Sequence, residues 1–174
     1  PPPPFFFHPD PGIREPLWSR GLGDVYKRQK LYSSGLHCPE PADIADVAKR
    51  LSVTLPENFT LLLDGSMGAG KTFFASALAH ALGVKEQVSS PTYDIVNIYA
   101  SSSVNLVHVD AYRLESSKDA ENLGIEELLI PPWILLVEWP QKVPELVFGE
   151  AWRLTIQSPP CGGRSLRLVK LLDA

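Results

Sequence analysis

The sequence predicts an α/β fold, a single domain in which helices flank a mixed parallel and antiparallel sheet. The chain has 174 residues, of which 44% are hydrophobic and 21% are charged, and this size supports one large core but not two. Short apolar runs typical of buried strands alternate with segments of helical period. One such run is followed at once by a glycine-rich turn and a helical segment, an order that recurs in α/β domains.

The domain is predicted to occupy residues 31–174. Residues 1–30 are rich in proline, glycine and isolated aromatic residues, and neither a helical nor an alternating period continues through them. They are therefore predicted to form a disordered or non-native tail. The stretch GLGDVYKRQ within them looks like a translated sequencing or assembly scar, and such a segment is excluded from fold arguments.

Hydrophobic spacing predicts the first elements of the domain. Four apolar residues recur at helical intervals and predict a helix near residues 41–52. They are Ile44, Val47, Ala48 and Leu51. Residues 60–64 form a short apolar run before a glycine, which predicts a buried strand. Residues 71–82 return to a helical period and end before Gly83, so a second helix is expected there.

Five further strands complete the predicted sheet. They are expected at residues 93–99, 104–109, 133–138, 151–156 and 165–170. Too few residues separate the first two for a parallel crossover, so these strands should pair antiparallel. A helical stretch around residues 117–129 precedes the third strand and gives it room for a parallel crossover. The last two strands flank the turn-rich run SPPCGGR and predict a terminal hairpin.

Composition limits the class of partner. The net charge is −4, whereas broad binding of a nucleic-acid backbone relies on a surplus of clustered lysine and arginine. A protein or small-molecule partner is therefore favoured. Cys38 and Cys161 have no further cysteine or paired histidine at zinc-ligand spacing, so neither a disulfide framework nor a structural metal is predicted. With no membrane span and no secretory signal in the sequence, a cytoplasmic location is expected.

The run GSMGAGKT matches the phosphate-binding pattern GxxxxGK[ST]. Its glycines permit backbone conformations that turn successive N–H groups inward as a cradle and let that backbone approach phosphates closely. The helix that follows adds the partial positive charge of its N-terminus. The predicted nucleotide-binding residues are Gly65, Ser66, Met67, Gly68, Ala69, Gly70, Lys71 and Thr72.

Two side chains of this motif are predicted to carry its chemistry. Lys71 should contact the β- and γ-phosphates of the nucleotide and take part in catalysis, and the Thr72 hydroxyl should ligate Mg²⁺. The alternative is a glycine-rich structural turn with an incidental lysine. The position between a strand-like run and a helical one favours phosphate binding, because the motif requires that context.

Two carboxylates stand at the ends of predicted strands. Asp110 follows the run at 104–109, and Glu138 ends the run at 133–138. A lone carboxylate is costly to bury, and a metal ion or a phosphate-bound water would satisfy it. Both are therefore candidates to hold Mg²⁺, directly or through water, and to orient the attacking water, the alternative being a solvent-exposed strand end or a turn cap. The residues alone do not decide which of the two contacts the metal directly.

Other polar residues near the motif have two interpretations each. The run SPTY at 90–93 could sense the γ-phosphate and Mg²⁺, although residues of these types taken alone favour an ordinary turn. For His108 a satisfied core position is favoured over proton donation. Arg113 fits a surface ion pair better than a phosphate contact. Trp139 fits packing against a nucleotide base or covering the core equally well.

Together these motifs resemble the TsaE family, also called YjeE, the bacterial ATPases of tRNA threonylcarbamoyladenosine biosynthesis. The likeness covers about residues 38–170, with the motifs in the order and at the intervals of the family. The matching runs are GSMGAGKT, SPTY, HVDAYRL, NLGIEELL and VEWP. Ser66, Met67 and Ala111 differ from the residues usual in the family, but none of these differences removes a phosphate or metal ligand.

The resemblance implies roles for the downstream motifs. Residues 90–93 become the first switch, with Thr92 at the nucleotide, and Trp139 lies near the nucleotide as well. Asp110 and Glu138 become the magnesium and catalytic carboxylates, and the nucleotide becomes ATP. The implied partners are the proteins TsaD and TsaB, whose complex transfers threonylcarbamoyl to adenosine 37 of tRNA. The tRNA itself would be involved only indirectly, which suits the acidic net charge.

Three other functions share a phosphate-binding motif of this kind. A regulatory GTPase would need NKxD and DxxG motifs, and the sequence contains neither. A small-molecule P-loop kinase would need a substrate-binding insertion and an arginine-rich lid, and no basic cluster of that kind follows Thr72. A non-hydrolysing, nucleotide-dependent binding switch remains an alternative to the ATPase, because its sequence could be the same.

Overall fold

Strands from across the domain join in a single sheet. The computed structural model describes residues 35–91, 94–115 and 117–171. Within these ranges the strands are β1 (Leu36–Cys38), β2 (Phe59–Asp64), β3 (Val96–Ala100), β4 (Asn105–Asp110), β5 (Trp133–Glu138), β6 (Glu150–Gln157) and β7 (Arg164–Lys170). They lie in the spatial order β1-β7-β6-β2-β5-β4-β3. Consecutive strands of the chain are therefore often not neighbours in the sheet.

The centre of the sheet is parallel and its edges are antiparallel. β2 pairs in parallel with β5 on one side and with β6 on the other, and β4 continues in parallel beside β5. β3 pairs antiparallel with β4, and β7 pairs antiparallel with both β6 and β1. Because the carboxyl ends of parallel strands meet at one edge, Asp64, Glu138 and Asp110 lie along the same edge of the sheet.

Helices cover both faces of this sheet. The α-helices are α1 (Pro41–Ser52), α2 (Lys71–Ala81), α3 (Ser117–Glu121) and α4 (Ile125–Leu128), with 3₁₀ turns at Ala111–Arg113 and Pro140–Lys142. α1 has Pro41 at its first position, where a missing N–H costs nothing. The Asp43 carboxylate accepts a hydrogen bond from the Glu40 N–H at 2.9 Å, which closes the first turn of α1.

Alternate residues of each central strand enter two separate cores. Leu61 and Leu63 of β2 face α1 and α2 and belong to the larger core. Leu62 faces the other way and belongs to a second core, which includes Ile125 of α4. All six residues of β5 are buried, as expected for a central parallel strand covered on both faces. The period of two along a strand explains this division.

The predicted α/β fold with a mixed sheet flanked by helices is confirmed. The helix predicted near 41–52 and the strand predicted at 133–138 have those bounds in the structure. The terminal hairpin forms as β6 and β7, and β3 pairs antiparallel with β4 as expected.

Some local expectations are wrong in detail. The helix expected around 117–129 is instead the pair α3 and α4, because Gly124 adopts a left-handed φ of 58° between them. β3 begins at Val96 because Ile95, with φ 66°, lies outside the β region. β1 was not expected, since three residues are too few to show a period.

The predicted tail at 1–30 lies outside the described residues, as do Thr92 and Tyr93. Across the part of the chain that is described, no helix combines the length and the apolar character that a membrane crossing requires. Cys38 is buried and Cys161 is exposed, and neither forms a disulfide within these ranges.

Candidate functional site

The loop between β2 and α2 carries the phosphate-binding motif as a compact turn. Within it, the Ala69 N–H donates to the Ser66 carbonyl oxygen at 3.1 Å. Gly70 is the N-cap of α2 with φ 106°, a conformation that residues with a Cβ rarely adopt. A Cβ at Gly65 would collide with the carbonyl oxygen of Ile156 in β6. The loop is therefore packed closely against β6, and only glycine fits at its first position.

The ammonium of Lys71 turns back over this loop. Its Nζ donates to the carbonyl oxygens of Gly65 at 2.9 Å and Ser66 at 3.0 Å. Lys71 is only 5% exposed. Burial lowers the pKa of Lys71, and the nearby carboxylates, Glu138 foremost, oppose that lowering. A poorly hydrated cation in this position would attract an anion more strongly than an exposed lysine does.

Glu138 connects the loop to the strand ends. Thr72 Oγ1 lies 3.0 Å from Glu138 Oε1 and 3.3 Å from Oε2, so the hydroxyl donates to the carboxylate. His108 Nε2 lies 3.0 Å from the same Oε1. Glu138 is 3% exposed, and these two contacts compensate for much of the cost of burying its charge.

The hydrogen-bond network assigns a proton to Nε2 of His108. His108 is fully buried, and its Nδ1 has no hydrogen-bond partner among the described residues. A ring with its proton on Nε2 donates to Glu138 and leaves only an unpaired acceptor at Nδ1. His108 therefore acts on the Glu138 carboxylate as a fixed donor.

Asp110 occupies the matching position on the neighbouring strand. It pairs in register with Glu138 and is 7% exposed. Ser90 Oγ donates to Asp110 Oδ2 at 2.6 Å, and the Tyr112 N–H donates to Oδ1 at 3.1 Å. Asp110 is thus bound to the segment that leads into residues 92 and 93, whereas Glu138 is bound to the first turn of α2.

Trp139 covers the ammonium of Lys71. The centre of its indole ring lies 3.9 Å from Lys71 Nζ, a cation–π distance. Its ring also packs on Tyr112, with centroids 5.1 Å apart and planes tilted by 49°. Trp139 adopts a left-handed conformation with φ 59°, which is strained for a residue with a bulky side chain. Such strain is concentrated at functional sites.

The oxygen donors at this edge fit Mg²⁺. The Thr72 hydroxyl and the carboxylates of Asp110 and Glu138 are hard oxygen ligands of the kind that Mg²⁺ takes. Within 35–91, 94–115 and 117–171, no group of three or more His, Cys, Asp or Glu side chains forms a metal cage by itself. Mg²⁺ is commonly bound through one or two carboxylates together with substrate phosphates and water. These residues therefore fit a magnesium ion that arrives with a phosphate ligand.

The structure places most of the predicted site residues at one edge of the sheet. Lys71 and Thr72 begin α2, while Asp110, Glu138 and Trp139 stand at or just after the ends of β4 and β5. In the loop, Ser66, Met67 and Gly68 are exposed, and Met67 is 68% exposed. Thr92 lies outside the described residues, so its place at the nucleotide stays a prediction.

Sequence reasoning missed two contacts at this edge. For His108 it favoured a satisfied core residue, and the ring is indeed buried and hydrogen-bonded, but its partner Glu138 was not predicted. The signal was its position two residues before Asp110, which puts both side chains on one face of β4. Arg164 was assigned nothing, although its Nε donates to the Ala69 carbonyl at 2.7 Å. No local pattern could have shown a contact between residues 95 positions apart.

Known proteins are similar to this chain in sequence and in fold. Residues 38–165 match the family model of TsaE, described as threonylcarbamoyl adenosine biosynthesis protein TsaE. The TsaE protein of Bacillus subtilis strain 168 is 32% identical over 117 residues, which are 67% of this chain and 73% of that protein. The TsaE protein of Rickettsia felis is 36% identical over 102 residues, or 58% of this chain and 59% of that protein.

A solved structure has a fold similar to the one described above. The crystal structure of YdiB from Bacillus subtilis matches with a TM-score of 0.64 at 24% identity, covering 80% of this chain and 85% of that one. At this identity the likeness establishes the P-loop NTPase-like fold alone. The family model, by contrast, spans most of the chain, including the loop, both carboxylates and Trp139. The chain therefore belongs to the TsaE family of threonylcarbamoyl adenosine biosynthesis proteins.

Proposed function

We propose that this chain is a Mg²⁺-dependent P-loop ATPase. It acts with the TsaD–TsaB threonylcarbamoyl transferase complex in forming N6-threonylcarbamoyladenosine at position 37 of tRNA. The observation that carries the proposal is the 3.0 Å hydrogen bond from Thr72 to Glu138. It joins the phosphate-binding motif and a strand-end carboxylate in a single site, as nucleotide hydrolysis requires.

Binding of the triphosphate would use the backbone of residues 65–70 and the ammonium of Lys71. An ammonium has three donors, and two of them now bond to the carbonyls of Gly65 and Ser66. Phosphate oxygens are charged acceptors and form stronger hydrogen bonds than carbonyls do, so they would compete successfully for these donors. Trp139, which lies over the ammonium, would then stand beside the bound nucleotide.

Hydrolysis would depend on the carboxylates opposite the loop. A bound Mg²⁺ would neutralise the charge on the β- and γ-phosphates, and Thr72, Asp110 and Glu138 are the residues that would hold it. Glu138 has fixed partners in Thr72 and His108, so its carboxylate is oriented to position or deprotonate the attacking water. Thr92 would sense the γ-phosphate from the first switch, which Ser90 links to Asp110.

The partner assignment rests on the family and on charge. The two relatives compared above are named as tRNA threonylcarbamoyladenosine biosynthesis proteins, which supports a place for this chain in the same modification. The net charge of −4 disfavours direct binding to the tRNA backbone. Association with TsaD and TsaB, with tRNA involved only indirectly, is consistent with both facts. Such a role would place the chain in the cytoplasm.

A phosphate-release assay with purified TsaD and TsaB from the same organism tests the proposal. With ATP and Mg²⁺, the wild-type chain should release phosphate, and Lys71→Ala should reduce the rate at least about 100-fold because its charge stabilises the transition state. Lys85→Ala is the matched control, since Lys85 is exposed beyond the end of α2. ATP-dependent association without phosphate release would instead favour a non-hydrolysing switch. Transfer of phosphate to a small molecule rather than to water would favour a kinase.

A further inference from the structure

A segment outside the motif contacts the phosphate-binding loop. Arg164 Nε donates to the Ala69 carbonyl at 2.7 Å, and its Nη2 donates to the Gly68 carbonyl at 3.2 Å. Its Nη1 donates to the Gly163 carbonyl at 2.8 Å, within its own turn. The planar guanidinium thus bonds through all three of its nitrogens, and its orientation is fixed by that fork.

The topology of the sheet brings Arg164 to this place. β6 runs parallel to β2 as its direct neighbour, so both strands end at the same edge. The turn at residues 158–163 reverses the chain there, and Arg164 is the first residue of β7. Arg164 pairs in register with Cys38. A Cβ at Gly163 would lie 2.6 Å from the Cys38 carbonyl oxygen, so the turn packs closely on this region and holds the arginine in place.

The contacts of Arg164 determine which way two loop peptides point. In a trans peptide the C=O and N–H bonds point in opposite directions. When the Ala69 carbonyl points toward Arg164, the Gly70 N–H points away from it. The Gly68 carbonyl fixes the Ala69 N–H in the same way, and that N–H donates to the Ser66 carbonyl and closes the turn of the loop. Backbone N–H groups are what such a loop offers to phosphate. A charged donor on the carbonyl also polarises the peptide and strengthens its N–H as a donor.

The loop needs such a restraint from outside. Gly68 and Gly70 have φ values of 75° and 106°, and glycine is the residue with the widest choice of backbone conformations. Unrestrained glycines would have to be ordered by the ligand, at a cost in affinity. Arg164 fixes their peptides before the ligand arrives.

We propose that Arg164 is a positioning residue for nucleotide binding. It holds the two peptides between Gly68 and Gly70, so that the Ala69 N–H closes the loop turn onto Ser66 and the Gly70 N–H faces the polyphosphate. This inference rests on the proposed ATP binding and adds to it a residue that lies far from the motif in sequence. Because Arg164 acts through the loop and on the ligand's binding, its loss should raise the KM for ATP and leave kcat nearly unchanged.

Titration with a fluorescent ATP analogue in the presence of Mg²⁺ tests this role, using Arg164→Gln, Arg164→Lys and the control Arg167→Gln. Arg167 is exposed on the same strand. Arg164→Gln should weaken binding about tenfold, the value of one or two charge-assisted hydrogen bonds at a partly exposed site. Arg164→Lys should recover only part of this loss, because one ammonium does not reproduce the fork. Arg167→Gln should bind like the wild type.

Several results would overturn the inference. Wild-type ATP affinity and KM in Arg164→Gln would show that the loop does not need the hydrogen bonds from Arg164, and the proposed ATPase function would still stand. Full recovery in Arg164→Lys would show that positive charge alone matters, and a fall in kcat at unchanged KM would place the effect elsewhere. Thermal unfolding without nucleotide identifies any variant that is not folded. If the wild type itself bound no ATP analogue, both this inference and the proposed function would fail.

Discussion

The carboxyl ends of β4 and β5 present similar carboxylates in different surroundings. Asp110 and Glu138 are register neighbours, and both are almost completely buried. Glu138 accepts hydrogen bonds from Thr72 at the start of α2 and from His108 within the sheet. Asp110 instead accepts from Ser90, in the loop that follows α2, and from the backbone of Tyr112.

The difference indicates that the two carboxylates have different roles, although they lie at the same edge of the sheet. The partners of Glu138 belong to a helix and a central strand, so this carboxylate has a fixed orientation toward the loop. Asp110 is coupled to the segment that enters the predicted switch, so its position depends on that segment. We therefore expect Glu138 to determine turnover most strongly, and Asp110 to couple the magnesium site to the switch.

Replacing Glu138 should lower turnover more than replacing Asp110 or His108. Glu138→Gln keeps the shape of the side chain but removes its charge, so turnover should fall about 100-fold or more, as for loss of a general base. ATP affinity should stay within about threefold, because Lys71, the loop amides and the other magnesium ligands, Thr72 and Asp110, are unchanged. Phosphate release and calorimetric titration measure the two quantities, with Glu145→Gln as an exposed control. Unchanged turnover would remove Glu138 from the catalytic group.

Replacing Asp110 should have a smaller effect on turnover and a distinct effect on magnesium. Asp110→Asn should lower turnover about tenfold and raise the Mg²⁺ concentration for half-maximal turnover, because an amide is a weaker ligand for a hard cation. A magnesium titration of phosphate release measures this shift. Asp46→Asn, exposed on α1, is the matched control. If Asp110→Asn left the magnesium requirement unchanged, Asp110 would not be a ligand.

Replacing His108 should act through Glu138, because His108 donates a hydrogen bond to that carboxylate. His108→Asn should lower turnover about fivefold, because Glu138 loses a donor that fixes its orientation. Nucleotide affinity should change less than twofold, which separates a positioning role from a general loss of structure. His80→Asn, exposed at the end of α2, serves as the control. An equal fall in affinity and turnover, or a wild-type rate, would contradict this role.

An ion pair at the opposite edge of the sheet shows, for comparison, how little an exposed pair of charges contributes to stability. Lys170 Nζ lies 2.9 Å from Glu150 Oε1, and both side chains are substantially exposed. The hydrogen bond from Lys170, followed by that from Trp152, lowers the pKa of Glu150 below its ordinary value of 4.5.

Lys170→Met should therefore lower the free energy of unfolding by no more than about 0.5 kcal/mol at neutral pH. A carboxylate whose pKa is lowered by folding stabilises the folded protein at pH values above its pKa in the unfolded chain. This contribution is lost as the pH falls through its pKa in the folded protein. The difference in the free energy of unfolding between variant and wild type should thus have its full size above pH 4.5 and become smaller below it. Urea unfolding across this range measures the difference. A larger difference, or one that grows on acidification, would contradict this account, and phosphate release should be unaffected.

The local parts of the site could be predicted from the sequence. Eight consecutive residues contain the phosphate-binding motif, and the flanking runs specify the strand and helix that position it. The apolar run at 133–138 likewise placed Glu138 at a strand end. These features need only short-range information, because hydrophobic period and glycine chemistry act within a few residues.

The contacts between elements could not be predicted in this way. His108 is the register partner of Leu136, and this places it diagonally beside Glu138 on one face of the sheet. That register depends on how β4 and β5 pair, which neither strand's sequence determines alone. Arg164 reaches the loop because β6 lies beside β2. Strand order is set by packing of the whole domain, so no local pattern indicates this contact.

Calorimetric titration with ATP in the presence of Mg²⁺ tests the central claim most directly, comparing the wild type, Lys71→Ala and Lys85→Ala. The account predicts saturable binding at one site per chain for the wild type and for Lys85→Ala, and a loss of at least about 100-fold in affinity for Lys71→Ala, whose buried ammonium lies over the loop. Binding of equal strength in Lys71→Ala, or no binding by the wild type, would contradict it.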